Sequence, residues 1–132
     1  MSDPIEFVDL DDLIDLARVL LGDPPPIRDI GLLGSAAARP QTTVFGQDAY
    51  PDLFTKAAAS LHSIVNNHAL VDGNKRLGWL ATAVFLELNG VEVTAISNND
   101  VYDLVIDVAA DHADVEQIAG ELRRLTGEMD DD

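Results

Sequence analysis

The stretch Asn74–Leu88, NKRLGWLATAVFLEL, constrains the fold more than any other part of the sequence. Trp79, Leu80, Ala83, Val84, Phe85 and Leu88 place apolar residues on most sides of a helix, and such a helix belongs inside a core. Gly73 precedes it and Asn89-Gly90 follows it, where a helix is free to begin and inclined to stop. Other helices must wrap around it. A chain of 132 residues suits one domain, spanning 1–132, and one of this size buries roughly two-thirds of its unfolded surface.

The flanking sequence supplies the wrapping. Leu10, Leu13, Ile14, Ala17 and Leu21 form a helical stripe over Asp9 to Leu21, with Asp9 placed to cap it and Gly22 to end it. Pro24, Pro25 and Pro26 forbid continuation. Gly31 to Ala38 reads as a short helix ending before Pro40. Gln41 to Tyr50 holds a β-prone run, Thr42 to Phe45, then Gly46, and reads as an exposed loop or small hairpin. Helical spacing returns over Pro51 to Asn67, and His68 to Gly73 breaks it. Val91 to Ala95 reads as a short extended piece. Ser97 or Asn98 caps a helix through about Ala110, and Asp114 caps the last, through about Leu125. The expectation is an all-α bundle of about six helices with a small β-hairpin flap, and a disordered acidic tail at 128–132.

Charge narrows the function. The chain has 24 acidic and 8 basic residues, a net charge of −16. Nucleic acid is bound through Lys and Arg on its phosphates, so direct nucleic-acid binding is not expected. No apolar run can span a bilayer, and Met1 to Asp12 carries acids where a signal peptide carries bases. With no cysteine, disulfides are excluded and a reducing cytoplasm is the expected location. The acidity is either a solvated surface or a face for a basic partner.

Against that background, NNHALVDGNKRLGW, residues 66–79, stands out. The start of the helix at Asn74 exposes unpaired N–H groups and a partial positive charge. Gly73 has no side chain to block a ligand, so an anion, most naturally phosphate, fits there. Lys75 and Arg76 lie in the first turn, where cations oppose the helix dipole unless an anion is bound. His68 carries an imidazole, a side chain suited to accept a proton in acid–base catalysis. Asp72 can cap the helix or ligate magnesium together with substrate phosphates. Taken singly, each residue has a blander reading: Asp72 as a cap, His68 as a surface histidine, Lys75 and Arg76 as solvated charges. Their joint arrangement supplies the parts of a phosphoryl-transfer site.

The stretch from His68 to Arg76 resembles the Fic-family signature His-x-Phe-x-(Asp/Glu)-(Gly/Ala)-Asn-(Gly/Lys)-Arg. Lys75, where adenylyl-transferring members carry glycine, resembles the death-on-curing (Doc) branch. Arg28-Asp-Ile-Gly-Leu-Leu, Arg39-Pro40 and Tyr50-Pro51 are also Doc-like, so the likeness covers roughly residues 5 to 125. Leu70 replaces the usual Phe beneath the loop. Trp79 stands where the longer motif has a second Arg, an absence shared with Doc-like members that favours phosphate over adenylyl transfer.

The resemblance implies a Fic-type fold and a role for each residue. His68 would be the general base, and Asp72 would hold magnesium or help orient the nucleotide phosphates. Gly73 and Asn74 would form the anion-binding turn, and Lys75 and Arg76 would clamp phosphate. Gln41 to Tyr50 would be the flap that pairs with a target segment by β-augmentation. Arg28, Arg39 and Lys56 are further cations within possible reach. The implied biology is a toxin of a toxin–antitoxin pair, using ATP and magnesium to phosphorylate a Ser/Thr hydroxyl of a translation factor such as elongation factor Tu. Its implied partner is a Phd-type antitoxin; with no Ser/Thr-x-x-x-Glu-(Gly/Asn) inhibitory helix apparent, inhibition is expected to come from another chain. Alternatives are a Fic-type adenylyltransferase and a catalytically weak antitoxin-binding module.

Overall fold

The computed structural model describes residues 4–128, so the expectation for the acidic tail falls outside the described residues except at Glu128. Six α-helices form the body: α1 (Leu10–Leu21), α2 (Ile30–Ala38), α3 (Leu53–Asn67), α4 (Asn74–Leu88), α5 (Asn98–Ala109) and α6 (Val115–Thr126). A 3-10 turn, Arg39–Gln41, follows α2. A hairpin of β1 (Thr43–Val44) and β2 (Gln47–Asp48) precedes α3. The all-α expectation with a small hairpin holds. Among the described residues, no helix is long and apolar enough to cross a membrane.

Most helix starts are set by side chains. Asp9, Asp29, Asp52, Ser97 and Asp114 each accept a hydrogen bond from the backbone N–H three residues on. Such a cap satisfies one of the orphan donors of the first turn. Helix α4 departs from this pattern, and the candidate site lies there.

The sequence pattern puts α4 at the centre; the structure gives that place to α3. Helix α3 packs against α2, α4, α5 and α6, and its residues from Thr55 to Leu61 are all buried. Ala57, Ala58, Ala59, Ser60 and Ser63 are why. Small side chains let neighbours approach from several directions, yet they add little to an apolar pattern. Helix α4 is the half-buried partner: Trp79, Leu80, Ala83 and Val84 are only partly covered, and Leu88 is exposed.

Val91 to Ala95 forms no strand, because no neighbouring strand offers it a ladder. The segment turns instead. Its Val91 and Val93 side chains enter the core, and the Glu87 carboxylate accepts the Val93 N–H at 2.9 Å.

Candidate active site

Helix α4 starts without a side-chain cap. Gly73 occupies the cap position at φ 88° and no acid lies in the first turn. Asp72, a possible cap on sequence grounds, makes no such bond, and its exposed carboxylate has no hydrogen-bond partner among the described residues. The glycine is needed twice. Its φ belongs to the left-handed region, and a Cβ there would lie 2.7 Å from Leu21 Cδ2.

The loop that carries His68 is clamped from the opposite strand of chain. Arg28 N–H and Asp29 N–H donate to the Ala69 carbonyl at 2.8 and 3.0 Å, and Val71 N–H donates to the Pro26 carbonyl at 2.8 Å. Ile27 and Leu70 form an antiparallel bridge. The Arg28 guanidinium donates to the His68 carbonyl. Leu70 is buried beneath the loop, so it fills the anchoring place expected of the larger Phe. The Asn74 side chain closes the loop: its Oδ1 accepts from Leu70 N–H at 3.0 Å and its Nδ2 donates to the Leu70 carbonyl at 3.1 Å. Asn74 thus spends its amide on the turn itself, which leaves its backbone as what it can offer a ligand.

His68 ends α3 in the left-handed conformation, φ 54° and ψ 42°. That kink turns the chain out of the helix and leaves the imidazole exposed, with no hydrogen-bond partner among the described residues. A cavity of about 210 Å³ is lined by His68, Asp72, Gly73, Asn74, Lys75 and Arg76 together with Val65, Val71 and Ala109. All six residues singled out in the sequence therefore face one space. A larger cavity of about 690 Å³, beside Tyr50, His62 and His112, includes none of them.

The electrostatics single out the same place. Arg18, Lys56, Arg123 and Arg124 pair with carboxylates. Arg28 is held by the His68 carbonyl and Arg39 by Tyr50, His62 and Ser63. Among the described residues, Lys75 and Arg76 are the cations left with neither a hydrogen bond nor an ion pair. In a chain of net charge −16, two adjacent unpaired cations at an uncapped helix start form a local positive site.

Of the other cations within possible reach, Arg28 belongs to the site as a clamp on its backbone. Arg39 and Lys56 do not; both hold the base of the hairpin. Sequence reasoning missed the clamp by residues 26–29, since nothing local marks a contact across 40 residues. It also missed an apolar groove of about 490 Å³ between α4 and α5, where Trp79, Leu80, Val101, Tyr102 and Ile106 meet Lys75 and Arg76. Partly exposed apolar residues on both helices were its only signal.

Asp72 is the carboxylate available to a metal, and no cluster of three or more acidic or histidine ligands exists among the described residues. One free carboxylate beside an anion site suits magnesium, which keeps water and takes substrate phosphates as further ligands.

A model of the Fic/DOC family matches residues 7–86. The chain is 48% identical to a protein named Toxin Doc from Mycolicibacterium smegmatis (strain ATCC 700084 / mc(2)155) over 118 residues, 89% of this chain and 91% of that one. It is 31% identical to Protein kinase doc of Escherichia phage P1 over 106 residues, 80% of this chain and 82% of that one. The match takes in the clamp at 26–29, the hairpin, the His68 loop and the start of α4 together: the chain belongs to the Fic/DOC family.

Proposed function

We propose that the protein is a Doc-type toxin that transfers the γ-phosphate of ATP to a Ser or Thr hydroxyl of a translation factor such as elongation factor Tu. The observation that carries this reading is the pair of unpaired cations, Lys75 and Arg76, sharing one cavity with an unencumbered histidine. The names of the two relatives, a toxin and a protein kinase, support it.

In this reading the α4 N-terminus and Lys75 and Arg76 hold the phosphate chain and offset its charge as it moves to the leaving group. His68 removes the proton from the target hydroxyl. The hydroxyl oxygen bonds to the γ-phosphorus, the bond to the β-phosphate oxygen breaks, and ADP leaves. Asp72 would hold magnesium, which would supply positive charge to offset that of the phosphates. Arg28 and Asn74 keep the loop rigid, so that base and phosphate keep their spacing. The reaction takes place in the cytoplasm, where translation factors are. A Phd-type antitoxin would silence it, and a segment folding on this surface can bury apolar side chains in the groove beneath Trp79.

The test is incubation of elongation factor Tu with the protein, magnesium and ATP labelled at the α or the γ position. The γ label should appear on the factor and the α label should not. Retention of the α label would replace phosphate transfer with adenylyl transfer. His68→Asn should abolish labelling while changing stability by no more than about 0.5 kcal/mol, because the residue is exposed and Asn tolerates its left-handed backbone.

A further inference from the structure

Lys56 is a buried lysine that the core does not require. It keeps 4% of its exposure and lies in the first turns of α3 among Ala57, Ala58 and Ala59. An apolar residue would fit that setting. A cation there faces the positive end of the helix dipole, and burying it is costly unless it is paired and hydrogen-bonded. Its ammonium is spent on the hairpin. It donates to Asp48 Oδ2 at 3.1 Å and to the Tyr50 carbonyl.

The hairpin has little else to hold it. Each strand has two residues, all exposed, and among the described residues both outer edges are unpaired. So small a hairpin is not stable alone in water. Among the described residues, the bond from Lys56 to Asp48 is the one side-chain hydrogen bond between residues 43–48 and the rest of the chain. Arg39 steadies the exit by donating to the Tyr50 hydroxyl at 3.0 Å. Releasing the hairpin would strip a buried charge of its partners, and that penalty keeps the hairpin seated.

We propose that Lys56 is a positioning residue for the protein substrate: it fixes the hairpin against α3, so that the free edge waits in one place for a target segment. This rests on reading the hairpin as the target-pairing flap. A seated edge spares the complex the entropy of ordering it on binding.

The test compares the wild-type protein with Lys56→Met, Lys56→Arg and Asp48→Asn. Methionine fills the space without a buried charge, so the fold should survive. Hydrogen exchange is read at the Ala49 amide, which bonds to the Thr42 carbonyl. Lys56→Met should speed it about tenfold or more, leave the amides of 68–76 unchanged, and be reversed in Lys56→Arg. With elongation factor Tu as the probe, KM for the factor should rise about tenfold and kcat stay near wild type. Asp48→Asn should fall between. Unaltered exchange at Ala49 in Lys56→Met overturns the proposal, as does a fall in kcat at constant KM. If the wild type leaves the factor unlabelled, the kinase reading fails, and the exchange measurement still decides whether Lys56 holds the hairpin.

Discussion

Gly73 shows how much one residue can carry. A side chain there meets Leu21 of α1 at 2.7 Å and must also adopt φ 88°. Leu21 can rotate away in part; the backbone cannot avoid the left-handed region. Gly73→Ala is therefore expected to cost about 1–2 kcal/mol from the backbone alone, with crowding added, measured by chemical denaturation. Any ATP-induced rise in Tm should shrink in the same variant, because the displaced turn loses its aim. The glycine was legible in the sequence as an opening for a ligand, while its packing against α1 was not. The same divide runs through the site. His68, Asp72, Lys75 and Arg76 could be read together because nine consecutive residues hold them. Arg28 could not, because its target is a backbone carbonyl and leaves no trace in the residue it serves. Asn74 was read toward the ligand when its amide in fact closes the loop on Leu70, since a short polar side chain can bond locally or outward and sequence does not say which.

At the scale of elements, the site depends on how closely α4 lies against α3. Gly78 marks the contact: a Cβ there would sit 2.7 Å from Val65 Cγ2 and 3.4 Å from Leu61 Cδ1. Both are core side chains of α3 with little room to yield. Gly78→Ala should destabilise by about 1–3 kcal/mol, the usual cost of overpacking. Gly120 in α6 is the control, with nothing within 4 Å of its would-be Cβ. Gly120→Ala should stabilise by about 0.5–1 kcal/mol through helix propensity. Thermal unfolding of the two variants reads both signs, and equal shifts would refute the packing argument. Helix positions were legible because caps and stops are local: Asp9 and Asp114 announce their helices. The rank of the helices was not. Burial of α3 comes from alanines and serines that score weakly in any apolar pattern, whereas α4 carries larger side chains on a face that is only half covered.

Over the whole molecule, the net charge of −16 acts against both the fold and the proposed ligand. Acidic side chains repel one another across the surface, and added salt screens that repulsion beyond about 10 Å at 0.1 M. Salt also weakens exposed ion pairs such as Arg18–Asp15, but isolated surface pairs contribute little. The repulsion should dominate, so Tm at neutral pH is expected to rise as sodium chloride goes from about 0.01 to 0.5 M. A fall would mean that ion pairs hold the molecule together. Lys75 and Arg76 add a second, local term of the opposite kind. As cations at the start of α4 they disfavour the helix in the absence of an anion, by about 0.3–1 kcal/mol for each charge. In saturating salt, where the long-range field is quenched, the double variant Lys75→Gln/Arg76→Gln should melt no lower than the wild type. It should also gain nothing from ATP, whereas the wild type gains stability from a ligand that binds its folded state. A wild-type protein whose Tm did not respond to ATP, beside a double variant that melted lower at every salt concentration, would make the two cations supports of the fold. The opposite pair of results would mean that α4 carries unfavourable charge for the sake of what it binds.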